Sequence, residues 1–133
     1  MMLPMRKNLP SSMYAISCHG ILKLIVISIV AVHGKGAHPA ETWTTRDPNS
    51  ERWMDWLSDG EWLPFELPNA RILRYGYNCD YFGRTAVDKV PGTMAEDFLR
   101  ELKRSRAVRP ERPLIIIAHS FGGLVVAEVS RYA

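Results

Sequence analysis

The stretch "LIIIAHSFGG" (Leu114–Gly123) decides how this chain is read. Its apolar run, Leu114 to Ala118, follows Pro110 and Pro113 and reads as a short buried strand of a parallel sheet. The residues after the paired glycines, "LVVAEVSRY", read as a largely buried helix. A strand that turns sharply at a serine into a helix raises the hydroxyl above the strand ends. Such a turn needs small residues two positions before and two positions after the serine. Around Ser120 those positions are Ala118 and Gly122, flanked by His119 and Gly123, with Gly123 expected to keep the following helix close. Small residues beside a serine are common, so an ordinary turn is the competing reading until a second feature decides.

That feature lies in "VAVHGKG" (Val30–Gly36), with Gly34 standing 86 positions before Ser120. Attack of a serine on an ester builds negative charge on the carbonyl oxygen, and two backbone donors must meet it. One is the N–H of Phe121 at the start of the helix; the other comes from a loop after an earlier strand, which His33 and Gly34 supply. The Gly-Lys-Gly run is not a phosphate-binding loop, because the spacing and the Ser or Thr after the lysine are missing.

Working outward, "ILKLIVISIVAV" (Ile21–Val32) is too short to cross a bilayer as a helix. Its β-branched Ile25, Val26, Ile27, Ile29, Val30 and Val32 favour a buried strand. Arg6 and Lys7 ahead of it leave a signal peptide or a mitochondrial presequence as alternatives. Residues 1–20, with Pro4 and Pro10, are expected to be a disordered or targeting leader. Ser50 is placed to cap a short helix carrying Trp53, Trp56 and Leu57, with both tryptophans in the core. "ARILRYGY" (Ala70–Tyr77) reads as another strand, followed by a loop holding Cys79, Asp80 and Asp88. Thr93 and Glu96 form a capping-box pair for a helix over Thr93–Arg106, with Ala95, Phe98, Leu99 and Leu102 on one face. Strand, helix, strand, helix, strand, helix implies an α/β fold in three layers, helices on both faces of a mainly parallel sheet of about three strands.

With 133 residues, 47% hydrophobic and 23% charged, the chain is at most one globular domain. Its net charge of +3 comes with no clustered basic face after Glu41, which argues against a nucleic-acid partner. Cys18 and Cys79 form neither a disulfide framework nor metal-ligand spacing, and no cofactor motif appears. His19 and His38 read as surface or leader residues, and Asp80 and Asp88 as solvated carboxylates.

The blocks "VHGKGAHPAETWT", "LPNARILRYGYN" and "RPLIIIAHSFGGLVVAE" resemble the lipase-like serine esterases of the α/β-hydrolase superfamily. The likeness is to the fungal branch that heads NACHT or ankyrin-repeat proteins, and to the serine-active-site-containing proteins of mitochondria and endoplasmic reticulum. It covers roughly residues 24–133, so that residues 21–133 are expected to be the N-terminal part of a hydrolase domain. The resemblance implies Ser120 as nucleophile, His33, Gly34 and Phe121 at oxyanion positions, and Ala118, His119, Gly122 and Gly123 in a nucleophile elbow. It implies a small ester or lipid substrate, an intracellular setting at mitochondrial or endoplasmic-reticulum membranes, membrane association, and neither cofactor nor metal. Relatives carry the triad acid and histidine after the nucleophile. Thirteen residues follow Ser120 here, so the chain is expected to be a truncated domain, inactive alone. His119 is adjacent to the serine and is expected to pack against the sheet. Lys35 departs from the small or apolar residue of relatives. A non-catalytic interaction or regulatory module that keeps the hydrolase shape is the alternative.

Overall fold

A computed structural model describes residues 11–17, 24–78 and 91–132. In chain order its strands are β1 (Ser12–Ser17), β2 (Ile27–Val32), β3 (Thr44–Arg46), β4 (Trp53–Asp55), β5 (Ala70–Gly76) and β6 (Leu114–Ala118). The helices are α1 (Leu63–Glu66), α2 (Pro91–Ser105) and α3 (Phe121–Val129), with a single 3-10 turn at Glu41–Trp43. The main sheet runs β1-β5-β2-β6, and β3 and β4 form a separate hairpin. β5 and β6 both run parallel to β2, while β1 is antiparallel to β5. The fold is therefore α/β with a mixed, mainly parallel sheet, the incomplete layered architecture expected.

β2 shows why the sheet forms where it does. Its residues alternate between two cores, as a strand with period two requires. Val30 and Val32 join Leu73, Tyr75, Phe98, Leu102 and Val125 under α2 and α3. Ile29 and Ala31 join Ile72, Trp43 and Leu57 on the opposite face. Among the described residues that second face is covered by the hairpin, the 3-10 turn and short α1.

Several expectations are corrected. Ser12–Ser17 are not a disordered stretch; they form β1, with Met13 reaching one core and Ile16 the other across a bulge after Ala15. Residues 1–10, together with Cys18 and His19, lie outside the described residues. β2 begins at Ile27, and Leu24 and Val26 before it are exposed.

The helix expected after Ser50 is the hairpin strand β4 instead. The Ser50 hydroxyl is taken by Asp47 Oδ2 at 2.5 Å, and Asp47 Oδ1 accepts the Asn49 N–H at 2.8 Å. That side-chain turn, with Glu51 at φ 55°, folds the chain back before a helix can start. Only Met54 of β4 is buried; Trp53 is 69% exposed and is not core. Trp56 does pack inward, edge-on to Trp43 at 5.7 Å. The hairpin is tied to the sheet by an ion pair between Asp55 and Arg74, on the β5 face that also carries Ile72.

α2 starts at Pro91, so Thr93 sits inside its first turn and is not its cap. A proline suits the first helical position, where its missing N–H would have no partner anyway. The expected apolar face is present: Ala95, Phe98 and Leu102 are buried, with Met94 beside them. A cap bond is worth about 1 kcal/mol, and full burial of Phe98 about 2–3 kcal/mol, so packing governs this helix.

Candidate active site

The parallel strands end on one side of the sheet, and the candidate residues collect there. β6 pairs with β2 up to Ala118 opposite Val32, and the His119 N–H continues the ladder to the Val32 carbonyl at 2.9 Å. The chain then reverses within a single residue. Ser120 has φ 53° and ψ −124°, and α3 begins at Phe121. A non-glycine residue in that region carries about 1–3 kcal/mol of strain and persists only where its surroundings hold it. The Gly122 N–H bonds the His119 carbonyl at 3.0 Å and the Gly123 N–H bonds the Ser120 carbonyl at 2.9 Å. Ser120 is exposed, and its side chain does not cap the helix it precedes.

Two glycines let neighbouring backbone approach this turn. A Cβ on Gly122 would lie 2.6 Å from the carbonyl oxygens of both Val32 and His33. A Cβ on Gly34 would lie 3.0 Å from Ser120 Cβ and 3.2 Å from His119 Nδ1. The His33–Gly34 loop is thus pressed against the serine. Gly123 meets nothing within 4 Å, so the close helix packing expected from it is not its doing.

His119 is exposed, not packed against the sheet, and its ring lies 6.5 Å from Trp43, edge-on. The ring of Phe121 sits under Lys35, whose Nζ is 5.8 Å from the ring centroid, within cation–π reach. Lys35 therefore adds a cation to the rim of the loop. Gly36, at φ 72°, completes the tight turn in which the Ala37 N–H returns to the Gly34 carbonyl at 3.3 Å.

His33 is fully buried and turned away from solvent. Its Nδ1 lies 2.9 Å from the Gly34 carbonyl, and its Nε2 accepts the Tyr77 N–H at 3.3 Å. That pair of bonds fixes the neutral Nδ1–H tautomer. Burial holds its pKa below the ordinary 6.5, and charge on His38 or His119 would lower it further; the Gly34 hydrogen bond opposes both. His33 is committed to shaping the loop and does not serve as a general base. His38 is exposed, its Nδ1 accepting the Ala40 N–H at 3.2 Å.

Sequence reasoning missed the role of Tyr77. Tyr77 was read only as the last residue of a strand, yet its hydroxyl donates to the His33 carbonyl at 2.6 Å. Aromatic residues at strand ends are too common for sequence alone to mark them. Asp80, Asp88 and Cys79 lie outside the described residues. Among the described residues no cluster of three His, Cys, Asp or Glu is arranged to hold a metal. No helix among them is long and apolar enough to cross a membrane.

No family model matches the chain, and no solved structure matches it significantly. The chain is similar to Protein SERAC1 of Danio rerio, at 29% identity over 120 residues. That alignment covers 79% of this chain and 18% of the relative, so the chain spans less than a fifth of that curated protein.

Proposed function

We propose that this chain carries the nucleophile half of a serine hydrolase site, with Ser120 attacking an ester carbonyl. The observation that carries the proposal is the Ser120 backbone at φ 53° and ψ −124° between β6 and α3. Strain of that kind at an exposed, uncommitted hydroxyl has no folding purpose, and a nucleophile elbow is the setting that uses it. Ala118, His119, Gly122 and Gly123 are the other elbow positions, with Gly122 the one that close packing demands. The Phe121 N–H at the start of α3 and the His33–Gly34 loop are the oxyanion donors in this reading. The likeness to Protein SERAC1 and the resemblance to lipase-like serine esterases point the same way. A small ester or lipid substrate, and work at mitochondrial or endoplasmic-reticulum membranes, follow from the resemblance alone.

The three described histidines are given other places in this reading. His33 is locked in the loop, His38 is engaged at Ala40, and His119 lies beside Gly34 next to Trp43. In this reading the general base is a group other than these three histidines. The mechanism is acyl transfer. Ser120 Oγ bonds to the carbonyl carbon as the base takes its proton, and the tetrahedral oxyanion collapses with loss of the alcohol.

An added base tests this reading. With p-nitrophenyl acetate and imidazole, Ser120 should gain an acetyl group as p-nitrophenolate leaves and imidazole takes the hydroxyl proton. Mass spectrometry of peptides should show Ser120 acetylated on the order of tenfold faster than exposed Ser50 or Ser130, because proximity to oxyanion donors accelerates acyl transfer. Ser120→Ala should leave only the slow background. Acetylation no faster at Ser120 than at those serines would refute the assignment and favour a non-catalytic module of the same shape.

A further inference from the structure

We infer that Tyr77 is a positioning residue, gripping His33 so that the Gly34–Ala37 turn is held against Ser120. The inference rests on the reading of Ser120 as a nucleophile, but the grip itself is visible in the geometry. Tyr77 meets His33 in three ways. The two rings stack with centroids 4.3 Å apart and planes 19° from parallel. The Tyr77 N–H donates to His33 Nε2 at 3.3 Å, and the Tyr77 hydroxyl donates to the His33 carbonyl at 2.6 Å. Both ends of the histidine, ring and backbone, are therefore fixed by one residue.

The grip passes to the site in both directions. On the ring side, His33 Nδ1–H donates to the Gly34 carbonyl, which also receives the Ala37 N–H. With that carbonyl doubly occupied, the peptide between Gly34 and Lys35 has one orientation, and so does the N–H it presents on the far side. On the backbone side, the same His33 carbonyl that accepts the Tyr77 hydroxyl is the one against which Gly122 is packed. Tyr77 thereby fixes the surface on which the first turn of α3 rests.

Tyr77 is itself anchored in the core. It stacks on Tyr75 at 5.5 Å, and Tyr75 meets Phe98 of α2 edge-on at 4.8 Å. Phe98, Tyr75, Tyr77 and His33 form a continuous aromatic ladder from the middle of α2 to the loop. Aromatic stacks of this kind are stiff, having few rotatable bonds and close contacts on both faces. A loop beside a reacting atom needs that stiffness, since a displacement of about 1 Å costs on the order of 100-fold in rate.

The test uses the full chain and two readouts. The first is hydrogen exchange of peptides spanning residues 33–37, compared with peptides from α2. In Tyr77→Phe, which keeps the stack and loses the hydroxyl, loop exchange should rise about tenfold while exchange around Phe98 stays within twofold. His33→Ala should do the same more strongly. His33→Gln, whose amide supplies a neutral donor and acceptor, should restore much of the protection. The second readout is imidazole-driven acetylation of Ser120, which should fall about tenfold in Tyr77→Phe with the Ser50 background unchanged.

Unchanged loop exchange in Tyr77→Phe would overturn the inference, as would an equal rise across the loop and α2, which marks general loosening. If loop exchange rises as stated but wild-type Ser120 is acetylated no faster than Ser50, the grip stands and the nucleophile reading fails. If Ser120 is acetylated selectively and Tyr77→Phe leaves both readouts unchanged, the nucleophile stands and the grip fails.

Discussion

The hydrogen of Gly122 that a side chain would replace points at the His33 carbonyl oxygen, 2.6 Å from where a Cβ would sit. That close approach joins the turn after β6 to the loop after β2, two segments far apart in sequence. It also separates two adjacent glycines that look equivalent on paper.

Gly122→Ala should therefore destabilise the chain by about 3 kcal/mol, the upper part of the usual overpacking range, because the clash is with backbone. Gly123→Ala meets no atom within 4 Å and lies inside α3, so it should be neutral or stabilising by up to about 1 kcal/mol. Urea unfolding of the two variants reads the contrast, and equal effects would show that the loop and the turn are not in contact.

Acid should weaken the fold through His33. Burial, the largest cause, holds its folded pKa below the unfolded value of 6.5. As pH falls below that unfolded value, the unfolded chain takes up a proton that the folded chain refuses, and stability is lost until the lowered folded pKa is passed. Urea midpoints should accordingly fall between pH 7.5 and 5.5. His33→Gln, with no proton to take up, should show a flatter profile over that window. An identical slope in both proteins would remove His33 as its cause.

How much of this was legible beforehand differs by element. That β2, β5 and β6 are strands follows from their apolar runs; their order, β5-β2-β6, is the one the family resemblance implies. The close approach of Gly34 to Ser120 was legible from a glycine after one strand and a serine after another. β1 was not, since "SMYAIS" holds too few apolar residues to stand out next to Pro10. β4 was misread as helix because Trp53, Trp56 and Leu57 fall at helical spacing; the Asp47 side-chain turn overrode that pattern. Tyr77 was illegible because its role depends on a stack with a residue 44 positions away.

The outer side of β6 has no further strand among the described residues, and Ile115 there is 46% exposed, with Leu124 of α3 at 57%. An unpaired, hydrophobic strand edge is a template for another chain. The 133-residue chain should therefore associate as its concentration rises, measurable by size-exclusion chromatography with light scattering. Ile115→Lys places a charge on that edge and should shift the population toward monomer. A wild-type chain that stays monomeric at high concentration would contradict this.

The fold forces Ser120 into a conformation that costs stability. Ser120→Gly is the most direct measurement, because glycine occupies φ 53° without a Cβ penalty whereas alanine keeps it. Ser120→Gly should be more stable to urea than Ser120→Ala by about 1 kcal/mol, the low end of the strain expected there. A glycine variant equal to or weaker than the alanine variant would contradict the strained turn, and with it the reading of Ser120 as a nucleophile held ready.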